Sequence, residues 1–131
     1  MRLQQLLNKT IVFITHDCDE ALRFADRIAI MKDGAVEQCG TPDQIVLHPA
    51  TEYVRKFTEE IDKARVVLAG TLAEDGLVGD GAPIDAGASV HSLAKLLVQD
   101  TRDAIPVHKD GALIGAMRRE KALGILVGAD L

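Results

Sequence analysis

The sequence predicts an α/β chain of short helices and short strands, and three observations carry that prediction. A continuous β-branched and aromatic run, Thr10-Ile11-Val12-Phe13-Ile14-Thr15, is bounded by polar residues, as a strand buried on both faces would be. A capped amphipathic helix follows that run directly. The pattern strand-Lys-Asp-Gly-strand then occurs twice, around Asp33-Gly34 and around Asp110-Gly111. Aromatic residues make up 3% of the 131 and there is no Trp, so the core must be assembled from Val, Ile, Leu and Ala.

Each element has its own local cause. Leu3, Leu6 and Leu7 alternate with Gln and Arg over Met1–Asn8, which predicts the last turns of an amphipathic helix. The strand over 10–15 needs strand neighbours on both sides, and few strands follow, so the chain reads as starting inside a domain. Asp17 with Glu20 three residues on has the form of a capping box. Cys18, Ala21, Leu22 and Ala25 then make one apolar helix face. Ile28-Ala29-Ile30-Met31 and Ala35–Cys39 are strands about a tight Lys32-Asp33-Gly34 turn, because Asp-Gly tolerates the positive φ that a hairpin demands. Thr41 as cap, Pro42 at the first helical position and Gln44 at the capping-box position start a helix that Pro49 stops. The next helix, Thr51 to Asp62, is expected to bury Tyr53, Val54, Phe57 and Ile61.

Composition changes near Arg65. From Gly70 to Gly87 the chain is rich in Gly, Asp and Ala with little periodicity, and Val66-Val67-Leu68-Ala69 is a candidate strand before it. Ser89 caps a helix with Val90, Leu93, Ala94 and Leu97 on one face. Ala104–Val107 and Leu113–Met117 form the second hairpin, and Arg118–Leu123 a last short helix. The two Lys-Asp-Gly turns are read as generic hairpins, since the residues around them share little.

The balance of charge narrows the partners. The formal net charge is −5, from 15 Lys+Arg against 20 Asp+Glu, with no basic stripe, so no nucleic-acid partner is expected. Cys18 and Cys39 lack a CxxC spacing and read as reduced, cytosolic thiols. No metal site is expected. The longest apolar stretches fall far short of the ~20 residues that cross a bilayer, so any membrane association would run through a partner.

The chemistry-bearing candidate is His16, at the C-terminal end of the predicted strand, where open α/β sheets place ligands. The capped helix after it fixes the turn and aims the imidazole. An imidazole there is able to donate a hydrogen bond to a phosphate oxygen and stabilise charge developing during phosphoryl transfer. A lone His at a strand end is more often structural, and spacing alone does not decide between the two. The string Thr10–Thr15, His16-Asp17, Glu20-Ala21-Leu22, Asp26-Arg27-Ile28, Gly34 and Gly40-Thr41-Pro42 does more, because it resembles the switch (H-loop) region of ABC-transporter nucleotide-binding domains in every part and in order. Within that family, His48-Pro49-Ala50, Tyr53-Val54 and Phe57 are similar to the ATPase subunit of glycine betaine/L-proline (quaternary amine) importers.

The resemblance implies a fold and a division of the chain. Residues 1–64 would be the C-terminal part of a P-loop ABC nucleotide-binding domain. Residues 65–87 would be a linker or a degenerate first CBS copy, and 88–131 a CBS-like motif, together a partial CBS (α+β) domain. The tail is identified as CBS-like on Ile105-Pro106-Val107-His108-Lys109-Asp110-Gly111-Ala112-Leu113-Ile114-Gly115. CBS pairs often bind adenosine nucleotides, and Ile105, Pro106, Arg118 and Glu120 are the candidate contacts. Binding-competent copies carry a hydroxyl and an Asp after the second strand. Met117-Arg118-Arg119-Glu120 lacks the hydroxyl and has the longer acid, and Arg118-Arg119 reads as a solvated pair.

The function implied is that of an ATP-hydrolysing, energy-coupling subunit of an importer for betaine- or proline-type osmoprotectants, with His16 contacting the γ-phosphate of ATP. Implied partners are a transmembrane permease subunit and a second ATPase subunit. A homodimer through the CBS-like module is also expected, because one motif leaves one face open. The implied location is the cytoplasmic face of the membrane. The 131 residues contain no Gly-x-x-x-x-Gly-Lys-[Ser/Thr] phosphate loop, no Leu-Ser-Gly-Gly-Gln signature and no Walker B strand, so the chain alone is expected to be inactive. The alternative reading is a stand-alone CBS-type module that senses nucleotide or ionic strength and dimerises without ATPase activity.

Overall fold

Two tight turns organise the strands. Asp33 and Gly34 take φ of 50° and 78°, and Asp110 and Gly111 take 51° and 82°. Paired positive φ values at consecutive residues are what a two-residue hairpin turn needs to match the twist of its strands. In the computed structural model, which describes residues 10–128, these turns join β1 (Ile28–Lys32) to β2 (Ala35–Gly40) and β5 (Ala104–Lys109) to β6 (Ala112–Arg118). The helix expected over Met1–Asn8 lies outside the described residues.

The remaining elements are short. In chain order they are α1 (Cys18–Phe24), α2 (Pro42–Leu47), α3 (Glu52–Thr58), α4 (Lys63–Val66), α5 (Ala69–Leu72), β3 (Ala73–Glu74), β4 (Ile84–Asp85), α6 (Ala94–Gln99) and α7 (Arg119–Leu126). The α/β class is as expected. β1 and β2 form a two-stranded antiparallel sheet, and the second sheet runs β3-β6-β5-β4. Its pairs are antiparallel except β4 with β5, which is parallel.

Residues 10–15 do not form the expected strand. Ile11, Val12, Phe13 and Ile14 are 48%, 86%, 60% and 91% exposed. A strand exists only where its backbone donors and acceptors meet a neighbouring strand, and neither described sheet lies beside this segment. The β-branched run is therefore extended apolar chain without a ladder.

Three further expectations need correction. Val66–Ala69 is not a strand: α4 occupies 63–66, capped by Asp62, whose carboxylate accepts from Ala64 N at 3.2 Å. Leu68 then makes a single antiparallel bridge to Ser89. Tyr53 and Phe57 are not buried but 36% and 41% exposed, while Val54 and Thr58 face inward at 0% and 2%. The two rings meet at a tilt of 32° with centroids 6.3 Å apart, and Lys32 Nζ sits 5.0 Å from the Tyr53 ring. Ser89 caps a turn through Ser92 N at 3.1 Å, with regular helix beginning only at Ala94.

Residues 65–87 carry β3 and β4, which supply both edges of the four-stranded sheet. The loop between them is fixed by Arg102. Its guanidinium grips Asp100 (Nη2 to Oδ2, 2.6 Å) and donates from Nη1 to the carbonyls of Asp80 and Ala82 at 2.6 and 2.9 Å. The main core draws on the whole described chain, from Leu22 and Val46 through Val67, Val90 and Leu97 to Ile105, Met117 and Ile125. Ile30, Ile45 and Val54 form a smaller cluster between the first hairpin and α2–α3. No helix among the described residues is long and apolar enough to cross a membrane.

Candidate functional site

His16 stands at a turn built by its two neighbours. Thr15 Oγ1 accepts from Asp17 N at 3.0 Å, and Asp17 Oδ1 accepts from Glu20 N at 3.2 Å. Asp17 is the N-cap of α1, with φ −93° and ψ 102°, so the chain changes from extended to helical at this point. Half of the expected capping box is present in that bond. The imidazole of His16 is exposed. A side chain held by flanking backbone bonds but left open to solvent is suited to meeting a ligand brought from outside its own segment.

α1 is anchored by Leu22, 5% exposed and part of the main core. Burial, followed by the carboxylates of Asp17 and Asp19, pushes the Cys18 thiol above its ordinary value. It therefore stays protonated at neutral pH and is a poor nucleophile. A cleft of about 480 Å³ lies along α1, between Leu22 and Arg23 on one wall and Asp43, Asp62 and Leu68 on the other. Its rim is polar, with Arg23 paired to Asp19 at 3.2 Å and Arg65 to Asp62 at 3.3 Å.

Asp43 is a site residue that sequence reasoning missed. It is 9% exposed at the start of α2. Thr41 Oγ1 donates to its Oδ1 at 2.5 Å and Gln44 N donates to the same oxygen at 3.0 Å. Thr71 Oγ1 of α5 donates to Oδ2. Gln44 fills its expected role, with Oε1 accepting from Thr41 N at 3.0 Å. The Thr-Pro-Asp string signals a helix start; the contact with Thr71, 28 residues away, leaves no local trace.

The nucleotide candidates of the C-terminal sheet are divided. Ile105 is fully buried in β5 and Pro106 is buried beside it. Arg118, at the end of β6 opposite Ala104, ion-pairs with Glu74 at 3.0 Å, and Glu120 is exposed in the first turn of α7. Arg119 is half-buried: its Nε donates to Leu97 O at 2.8 Å and ties α6 to α7. Among the described residues, no three or more His, Cys, Asp or Glu side chains gather in a way that could hold a metal ion.

Comparison with known proteins gives close relatives. The chain is 69% identical over 129 residues to a trimethylamine N-oxide transport system ATP-binding protein of Ruegeria pomeroyi, covering 98% of this chain and 38% of that protein. It is 54% identical over 70 residues to a glycine betaine/carnitine transport ATP-binding protein of Listeria monocytogenes, covering 53% of this chain and 18% of that one. Identity is 39% over 121 residues with the glycine betaine/proline betaine transport system ATP-binding protein of Escherichia coli, covering 89% of this chain and 29% of that one. The chain thus spans well under two thirds of the length of these relatives. No family model matches it, and no solved structure matches it. The 69% identity runs through 98% of its length, so nearly the whole chain is similar to a part of proteins named as ATP-binding components of trimethylamine N-oxide and betaine transport systems.

Proposed function

We propose that this chain is the switch-bearing C-terminal part of an ATP-hydrolysing subunit that energises an importer for quaternary amines or related osmoprotectants. The observation that carries the proposal is the 69% identity, across nearly the whole chain, to a transport ATP-binding protein. Two features support it: the fixed Thr15-His16-Asp17 turn with its open imidazole, and the exposed apolar segment Ile11–Ile14, which suits insertion into a sheet supplied by other segments of a longer ATPase domain.

In this reading His16 donates a hydrogen bond to the γ-phosphate and stabilises its charge as the bond to the leaving group breaks. Such contacts act only while charge develops, which is where catalysis is gained. ATP is the substrate, held by a phosphate loop that these 131 residues do not contain. The permease subunit and a second ATPase subunit are its proposed partners, on the cytoplasmic face of the membrane.

Nucleotide titration of the 131-residue chain against the longer subunit tests the assignment. The expected result is micromolar to submillimolar ATP binding by the longer subunit and none by the chain. Tight AMP or ATP binding by the chain alone, with protection mapping to residues 66–120, would support the stand-alone sensor instead.

A further inference from the structure

We propose that the hydrogen bond from Thr71 to Asp43 is a latch through which the C-terminal sheet restrains α1 and the His16 turn. The path is continuous in bonded contacts. Thr71 lies in the last turn of α5, two residues before β3, whose Ala73 and Glu74 pair with Met117 and Ala116 of β6. Its hydroxyl donates to Asp43 Oδ2, and the other oxygen of the same carboxylate accepts from Thr41 Oγ1. Gly40, next to Thr41, pairs with Ile28, the first residue of β1 after α1. Arg27, between α1 and β1, reaches Cys39 Sγ at 3.8 Å on the facing strand.

Packing runs alongside the bonds. Leu22 of α1 and Val46 of α2 share one core with Val67, Ala69 and Leu72 around the latch. The cleft between α1 and the 62–68 segment leaves that side of α1 without close packing. The helix is therefore held by Cys18 and Leu22 on the core and by the hairpin end, with its Asp19–Asp26 side open to the cleft. A carboxylate that is mostly buried must keep its donors, because losing one leaves a desolvated oxygen unpaired. Displacing Thr71 with the C-terminal sheet therefore forces Asp43 and the 40–43 turn to readjust, and α1 with them. Asp43 and Thr71 are positioning residues in this scheme; neither touches substrate.

Its relevance to ATP turnover rests on the function proposed above, but its test does not. Amide hydrogen exchange is measured on the 131-residue chain, wild type against Thr71→Val and Thr71→Ser. Removing the hydroxyl is expected to speed exchange at residues 18–24 by about tenfold, as loss of a bond to a charged acceptor implies, while 104–118 stay at wild-type rates. Thr71→Ser keeps the hydroxyl and is expected to match wild type. Faster exchange confined to 41–46 and 69–72, with α1 unchanged, would overturn the latch. Should Thr71→Val fail to fold, Thr71→Ser decides: wild-type exchange at 18–24 supports the latch, and accelerated exchange there overturns it. Loss of the proposed role for His16 would leave these outcomes unaltered, so the two ideas fail separately.

Discussion

Arg102 shows how much one side chain does in the C-terminal sheet. Asp100 and Arg102 are 11% and 23% exposed at their side chains, and the pair spans the entry to β5 and the 80–82 loop. The Arg102 guanidinium, through its side-chain and backbone bonds, holds the Asp100 carboxyl at about 2, below the ordinary 3.8. A carboxylate with a depressed folded value contributes stability that is complete above its unfolded value and is lost as pH falls through the folded one. The stability difference between wild type and Asp100→Asn, read from urea unfolding, is therefore expected to be constant above about pH 5 and to shrink steadily between about pH 4 and 2. Arg102→Ala is expected to release residues 76–83, read as faster amide exchange there with β5 and β6 protected. At this scale the sequence was legible in part. Asp17 and Gln44 take their expected capping roles, because caps depend only on neighbours a few residues away. The contacts of Arg102 with the 80–82 loop and of Asp43 with Thr71 were illegible, since those partners lie 20 to 28 residues distant.

Turn chemistry determined the hairpins, and they agree more closely than their sequences suggest. Lys32 pairs with Ala35, Met31 with Val36, and the register then shifts so that Ile30 faces Gln38. Lys109 pairs with Ala112, His108 with Leu113, and Val107 then faces Gly115 after the same shift. Asp-Gly with two positive φ values sets the first pairs, and each hairpin takes up one extra residue at the same place. The hairpins differ in what they meet next. Gly115 has φ 140°, and a Cβ there would lie 2.2 Å from Glu74 O, whereas Gly34 at φ 78° has nothing within 4 Å. Gly115→Ala should thus cost about 3 kcal/mol or more and detach β3 from β6, against about 1 kcal/mol for Gly34→Ala; urea midpoints of the two variants check this. An equal loss for both would contradict the close approach. Helix faces were less legible. The apolar stripe of α3 was read too broadly: Val54 is buried as expected, but Tyr53 and Phe57 meet each other and Lys32 on the surface while Thr58 turns inward. Residues 10–15 have every local mark of a strand, yet strand formation is decided by neighbours, and none is described beside them.

At the scale of the whole molecule, the two parts expected from the sequence share one core. Leu22 and Val46 from the first part pack in the same cluster as Val67, Leu97, Ile105 and Ile125. One contiguous core predicts one cooperative unfolding transition. Tyr53 is the sole Tyr and there is no Trp, so tyrosine fluorescence reports the first part while far-ultraviolet circular dichroism reports the whole. Their urea transitions are expected to coincide, and Leu97→Ala should move both together by about 3 kcal/mol; separate midpoints would show two independent units. The family was legible at this scale because its switch string is long and ordered, and the 69% identity to a transport ATP-binding protein agrees with it. His16 is proposed to contact the γ-phosphate. In the longer ATPase subunit and permease proposed above, His16→Ala is expected to leave ATP affinity within about twofold and to cut turnover by about 10²- to 10³-fold, the usual cost of one transition-state donor. Turnover that survives the substitution would contradict it.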